Sequence, residues 1–325
     1  MFSKKPLKLS VCIPSVDADE LINQLLILEA SIRNFTFTCE VIVQYDTKVE
    51  NRVSEVSETC GRLGYTLISP INKGLDASIQ ELLTQAKGEF IWVLSGNDSI
   101  NSDTLNAIGK AFQTDDIGLI FLNAKTPDGL STAINTSGDD GIVDFNTLLE
   151  TIGTRMSLIT SLVFLNTFNE TKSVLLYEKY CGSNIAFLTL PFFSLGRGRK
   201  AYIVRKPAFI NNVVDLKKGQ THFYNGITTF GAFLICILFE FRSLFQKDSW
   251  NKFLKQNYSS LWKGAVIDWV RFDHPTPLFA LLKLYRYYFH LPLFYASIFI
   301  CTLPRPLARF CVEFAVRNKL TTSES

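Results

Sequence analysis

The sequence predicts an α/β fold built on a doubly wound, mostly parallel sheet, and three observations carry that expectation. Short apolar runs of strand type alternate with segments of helical periodicity over the first 122 residues. Each run ends in polar or turn-forming residues, where the strands of an open parallel sheet present their ligand-binding loops. A chain of 325 residues can bury such a core and still carry an appendage.

The elements follow in order. Residues 9–14 read as a buried strand closed by Pro14, and Asp17-x-x-Glu20 reads as a capping box opening a helix that buries Leu21, Ile22, Leu25, Leu26 and Leu28. Residues 40–45 form the next strand, and Val53, Val56, Cys60 and Leu63 recur at helical spacing until Gly64 stops them. Strands at 65–68, 89–95 and 117–122 then alternate with helices at 75–86 and 105–112. Such alternation places ligands at the carboxyl edge of the sheet. The strand ends there are Pro14-Ser15-Val16-Asp17, Tyr45-Asp46, Asn72-Lys73-Gly74 and Ser95-Gly96-Asn97-Asp98.

Beyond this region, residues 126–144 are rich in Gly, Ser, Thr and Asp and read as a long flexible surface loop that orders over substrate. Strands are expected at 158–165 and 200–204, and a helix at 183–190. Three segments result: 1–125, 126–225 and 226–325.

The last segment differs in composition. From residue 242 onward there are 12 Lys and Arg against 5 Asp and Glu, although the whole chain carries only +3. Apolar residues make up 47% of the chain, and its mean hydropathy is +0.15. The apolar runs at 226–241 and 291–303 fall short of the roughly 18 to 20 residues that cross a bilayer. Between them stand Trp250, Trp262, Trp269, Tyr285, Tyr287 and Tyr288 among basic side chains, the mixture expected of helices in the headgroup region of a cytoplasmic membrane surface, with 226–241 also able to enter it. No zinc-finger or RNP pattern accompanies the basic residues, so nucleic acid is not expected as a partner.

Seven cysteines without a C-x-x-C pair exclude a disulfide framework and fit a reducing cytoplasm, and the apolar stretch near the amino terminus is too short for a signal peptide. The three histidines stand far apart, which argues against a histidine metal centre. The absence of G-x-G-x-x-G and of a Gly-Lys-Ser/Thr loop argues against a dinucleotide oxidoreductase or an ATPase.

The strand-end residues resemble family 2 glycosyltransferases of GT-A fold, over roughly residues 9–225. The resemblance rests on Ile13-Pro14-Ser15-Val16-Asp17, on Gln44-Tyr45-Asp46, and on Asn72-Lys73-Gly74-Leu75-Asp76-Ala77-Ser78 followed by Ala86-Lys87-Gly88-Glu89-Phe90-Ile91-Trp92-Val93-Leu94. That last stretch is most similar to the abequosyltransferase-like branch. A further piece, residues 159–164 followed by 180–188, resembles the acceptor side of the same branch.

The resemblance implies a transfer, inverting at the sugar, from a nucleotide-diphosphate sugar to a glycan or lipid-linked acceptor in surface polysaccharide synthesis. It implies donor contacts from Pro14, Ser15, Asp17, Asp46, Asn72, Lys73, Gly74, Asp76, Ser95, Gly96 and Asn97. Asp98 is the acid retained where relatives carry several, and is implied to hold a magnesium or manganese ion that offsets charge on the leaving diphosphate. Glu178 is the implied base for the acceptor hydroxyl, near a helix start. Arg197 and Arg199 offer guanidinium forks to phosphate but read more simply as a solvated basic turn. With Gly96 and Asn97 in place of acids, the alternative is a catalytically degenerate partner that binds nucleotide or glycan.

Overall fold

The computed structural model describes residues 6–46, 52–68, 74–212, 233–261 and 278–317, and the chain divides into two compact units, Met1–Gln220 and Thr221–Ser325. In the first unit the strands are β1 Leu9–Ser15, β2 Cys39–Tyr45, β3 Thr66–Ile68, β4 Phe90–Val93, β5 Ser99–Ile100, β6 Ile117–Lys125, β7 Gly141–Val143, β8 Leu162–Leu165 and β9 Lys200–Ile210. The helices are α1 Ala18–Ile32, α2 Val53–Leu63, α3 Leu75–Gln85, α4 Ser102–Ala111, α5 Phe145–Ile152, α6 Thr171–Tyr180 and α7 Thr189–Gly196.

All strands join one sheet in the order β3-β2-β1-β4-β8-β6-β9-β5, with β7 pairing β9. The ladders β1 to β2, β1 to β4, β2 to β3 and β6 to β9 are parallel and hold most of the paired residues, so the sheet is mostly parallel as predicted. β8 inserts antiparallel between β4 and β6. Because β6 pairs with β8 and β9, residues 1–125 and the segment after them share one sheet, and the chain divides near residue 220.

Several local expectations change. β1 continues through Pro14 to Ser15, because by Pro14 its ladder with β4 has ended at Cys12 and only β2 remains beside it, opposite Gln44. In α1, Leu21, Leu25 and Leu28 are buried, but Leu26 is 45% exposed, since it lies on the far side of a helix that shows the core one face. Asp17 caps that helix by accepting from the Glu20 N–H at 2.9 Å, and Gly64 closes α2 in the left-handed region as predicted. Of the strand expected at 158–165, Leu162–Leu165 forms β8, while Ile159–Ser161 is a 3₁₀ turn that follows another at Gly153–Ser157. The expected helix at 183–190 is a 3₁₀ turn leading into α7.

The loop expected at 126–144 is tied down. Asp128 takes the Leu130 N–H at 3.0 Å, Asn123 takes the Ile134 N–H at 3.0 Å, Asp140 takes the Arg205 N–H at 2.8 Å, and β7 joins the sheet.

The second unit is helical over its described residues. Its longer helices are Lys247–Leu261, Pro292–Thr302 and Arg305–Arg317. Within 226–241 only the helix Leu234–Glu240 falls among the described residues, and no described helix is long and apolar enough to cross a membrane. Trp262 and Trp269 lie outside the described residues. Trp250, Tyr287 and Tyr288, expected at a headgroup layer, are instead buried; the Tyr288 hydroxyl accepts from Asn257 at 2.7 Å. Among the described residues of this unit, the exposed aromatics are Phe239, Tyr285, Phe289, Tyr295, Phe299, Phe310 and Phe314.

Where β4 begins it runs against β1 at Gly88, whose N–H donates to the Ser10 hydroxyl at 2.7 Å. A Cβ there would lie 2.5 Å from the Ser10 backbone nitrogen and 2.7 Å from the Leu9 carbonyl carbon. Gly88→Ala is therefore expected to lose about 1 to 3 kcal/mol by overpacking against backbone that cannot move aside. Gly61→Ala, in open space on exposed α2, should gain about 0.5 to 1 kcal/mol. Urea unfolding of the two variants checks the contrast.

Candidate functional site

The carboxyl edge of the parallel strands brings Ser15, Asp46 and the Ser95–Asp98 turn together. The Asp46 N–H donates to the Ser15 carbonyl at 2.8 Å, and Gly96 sits so close to Ser15 that a Cβ on it would lie 2.7 Å from the Ser15 Cβ. Only glycine fits at 96 while β1 holds this course. A side chain at that position, acidic or not, is sterically excluded.

Asp98, at the centre of the predicted site, is 5% exposed. Its Oδ1 accepts from the Asn212 N–H at 3.1 Å and from Asn211 Nδ2 at 3.4 Å, and the Thr160 hydroxyl bonds its side chain as well. Burial pushes its carboxyl up to about 6, against the pull of the Thr160 and Asn212 hydrogen bonds. Thr160 is placed by β4 itself, because its carbonyl accepts from the Trp92 indole at 2.8 Å and its hydroxyl from the Ser95 N–H at 3.0 Å. Trp92 is a core residue, as expected, and also a support for the site.

Asn212, just beyond β9, is the second support. Its Nδ2 donates to the Asn97 carbonyl and to the Ser99 hydroxyl, both at 2.8 Å, while its own carbonyl accepts from Asn97 Nδ2 at 3.0 Å. Gln24 completes the frame from α1, its Nε2 donating to the Ser95 carbonyl at 2.9 Å and the Asp98 carbonyl at 2.7 Å. Asn211, Asn212 and Gln24 carry no local motif, and sequence reasoning did not single them out; Thr160 lies in the piece 159–164 noted for its resemblance to the acceptor side.

Other predicted residues take different places. Asn72 and Lys73 lie outside the described residues. Gly74 precedes α3 at φ 94°, a conformation that favours glycine, and the Ser78 N–H returns to its carbonyl. Pro14 remains in β1 beside the edge, and Asp17 is exposed there, with one carboxylate oxygen already engaged as the α1 cap.

Asp76, expected at the donor, has its carboxylate engaged by backbone. Its carboxylate is 2% exposed and accepts the N–H groups of Gly182 at 2.8 Å, Asn184 at 2.7 Å and Ala186 at 3.2 Å, so it pins the turn between α6 and α7. Burial raises its carboxyl above the usual range, and those N–H groups oppose the rise. Glu178 is exposed in the last turn of α6, not at a helix start, and makes no described contact with Asp98. Arg197 pairs with Glu170 and Arg199 with Asp116, which accords with the solvated basic turn.

The described residues around Asp98 do not by themselves form a divalent-cation site. Such ions want several oxygen ligands, whereas Gly96 has no room for a side chain, Asn97 is tied to Asn212, and two of the groups facing Asp98 are N–H donors. Among the described residues, no three Asp, Glu, His or Cys side chains converge.

No protein-family profile and no curated protein matches the sequence. Solved structures do match in three dimensions. TarS of S. aureus is 14% identical with a TM-score of 0.62 over 96% of this chain and 54% of its own, so the chain spans about half the length of that protein. TarS 1–349 in complex with UDP-GlcNAc is 14% identical with a TM-score of 0.55 over 96% and 92% of the two chains. The mannosyltransferase PcManGT from Pyrobaculum calidifontis, in complex with GDP-Man and Mn2+, is 14% identical with a TM-score of 0.50 over 95% and 87%. The chain thus has the GT-A glycosyltransferase fold that its strand ends led us to expect.

Proposed function

We propose that this protein transfers a hexosyl or deoxyhexosyl group from a nucleotide-diphosphate sugar to a glycan or lipid-linked acceptor, with inversion, in surface polysaccharide synthesis. The observation that carries the reading is Asp98, a buried carboxylate held by hydroxyl and N–H groups at the carboxyl end of β4, in a fold shared with proteins solved with UDP-GlcNAc and GDP-Man. The donor would lie along Ser15, Asp46, Gly74 and Ser95 to Asp98, and the abequosyltransferase-like branch remains supported by the motif at 72–94. Asp98 is the acid we place nearest the diphosphate. A magnesium or manganese ion there would draw most of its ligands from the donor, and when bound it would offset charge on the departing diphosphate. Glu178, exposed in the last turn of α6, is kept as the candidate base for the acceptor hydroxyl, and Asp76 is reassigned to positioning.

Wild-type protein given UDP-, GDP-, CDP- and dTDP-sugars, with and without magnesium or manganese, is expected to turn over at least one of them. Asp98→Ala should lower that turnover by about 100-fold or more while leaving the near-UV spectrum of the fold intact. Unchanged turnover in Asp98→Ala would remove Asp98 from the chemistry. Donor binding without turnover in the wild type would favour the degenerate partner.

Stability should respond to Asp98 in a direction fixed by its raised pKa. A carboxyl at about 6 in the folded chain and about 3.9 unfolded binds its proton more tightly when folded. Its contribution is therefore fully present below about pH 4 and is lost as pH rises through about 6. Asp98→Asn removes the buried charge, and the Thr160 hydroxyl can turn to accept from the new amide. It should stabilise at neutral pH by on the order of 2 kcal/mol, with the gain fading toward pH 4, as denaturant titrations at the two pH values would register.

The second unit offers a surface suited to the cytoplasmic face of a membrane. Phe299 is 62% exposed, Phe310 66% and Phe314 55%, with Arg305, Arg309 and Arg317 on the same terminal helix as the last two. Wild type should sediment with vesicles containing anionic lipid and release at high salt. Changing all three phenylalanines to serine should leave most protein in the supernatant; equal sedimentation would discard this face as the anchor.

A further inference from the structure

The buried positions of α1 are Ala18, Leu21, Gln24, Leu25, Leu28 and Ser31, and one long polar side chain stands among them. Glutamine is mostly exposed in folded proteins, yet Gln24 is 4% exposed. Its amide is engaged by the turn that carries Asp98. That turn runs from Ser95 to Asp98 and closes on itself, the Asp98 N–H donating to the Ser95 carbonyl at 3.2 Å. Gln24 Nε2 donates to the carbonyls of its first and last residues, Ser95 at 2.9 Å and Asp98 at 2.7 Å. These two acceptors fix which end of the amide is which, because an oxygen in that place would face two carbonyl oxygens. The other end, Oε1, is buried and has no hydrogen-bond partner among the described residues.

A buried acceptor left without a donor costs free energy that an apolar side chain of the same length would not. Methionine would pack this face of the helix and carry no such oxygen. What glutamine contributes there is its pair of donors to the turn. Glu20 and Gln24 from α1, with Asp98 and Asn212 opposite, also wall a pocket of about 70 Å³. Ser15, Asp46 and Thr160 are not among its walls. Gln24 thus braces the turn from α1, as Thr160 and Asn212 do from the chain around β8 and β9.

We propose that Gln24 is a positioning residue: by tying together the two ends of the Ser95–Asp98 turn it fixes the direction in which the Asp98 carboxylate meets the donor. The consequence for turnover rests on the glycosyl-transfer reading above, and the geometry stands without it. Gln24 acts through Asp98 and touches no reacting atom. A turn without this tie lets the carboxylate swing, and a displacement on the order of 1 Å costs about 100-fold in rate. It also admits water from the pocket to Asp98, which favours the charged carboxylate. The groups that meet the carboxyl are Thr160, Asn211 and Asn212, none of which titrates, and the other carboxylate in the described walls of the pocket is Glu20.

The test uses the full chain with Gln24→Met, which keeps the length of the side chain without its donors, and Gln24→Asn, which keeps the amide without its reach. Carbon-13 NMR of aspartate-labelled protein follows the Asp98 carboxyl, assigned with Asp98→Asn. Its midpoint, about 6 in wild type, should fall toward the ordinary aspartate range in both variants, and should fall equally when Glu20→Gln is added. With the nucleotide sugar that wild type turns over, kcat should drop about tenfold or more in both, while the donor KM and the urea midpoint of unfolding stay near wild type. Wild-type kcat and an unmoved Asp98 midpoint in both variants overturn the inference and leave the transfer reading standing. A loss of kcat that only tracks a loss of folded protein, with the Asp98 midpoint unmoved, overturns it as well. A wild type that turns over no nucleotide sugar, but whose Asp98 midpoint falls in both variants, sinks the transfer reading and keeps Gln24 as the residue that positions Asp98.

Discussion

A carboxylate can be kept out of water only if hydrogen-bond donors converge on it, and much of the site's construction follows from meeting that demand at Asp98. β4 places it at the edge of the sheet, but β4 cannot satisfy it. The donors come from the turn before β8 and from the end of β9, two parts of the chain that the antiparallel insertion of β8 and the long ladder from β6 to β9 carry to the same place. The mixed sheet thus closes the polar frame of the site, and the parallel half alone would leave Asp98 half made.

The same logic separates the two buried aspartates. Asp76 receives N–H groups from three residues of one turn and becomes a fastening between α3 and the segment leading to α7. Asp98 is reached by fewer N–H groups, and its hydroxyl partner can rotate. Its charge is less completely matched, and such a carboxylate remains responsive to a ligand that brings positive charge or a proton.

The parts legible in the sequence were those that depend on local pattern. The buried strands announce themselves as apolar runs, Asp17 and Gly64 as helix punctuation, and Trp92 as core. The place of β8 was not legible, because periodicity does not say which strand pairs with which. Asn212 was invisible for a related reason: it meets Asp98 across 114 residues of chain, and a lone asparagine after a strand carries no signal of its partner. The fastening role of Asp76 was not legible either, because a motif records that an acid is present, not which backbone groups its oxygens meet. Trp250, Tyr287 and Tyr288 of the second unit were misassigned likewise, since composition alone cannot separate Tyr288, inside the core, from Phe310, outside it.

The close contact of Gly96 with Ser15 bears on how this sequence can drift. A side chain at 96 collides with the Cβ of Ser15, so an acid cannot return to that position by one substitution. A second change, removing the side chain at 15 or moving the end of β1, would have to accompany it. The two positions are locked to each other, and a lineage that reached this pairing would find the more acidic strand end behind a step that neither residue can take alone.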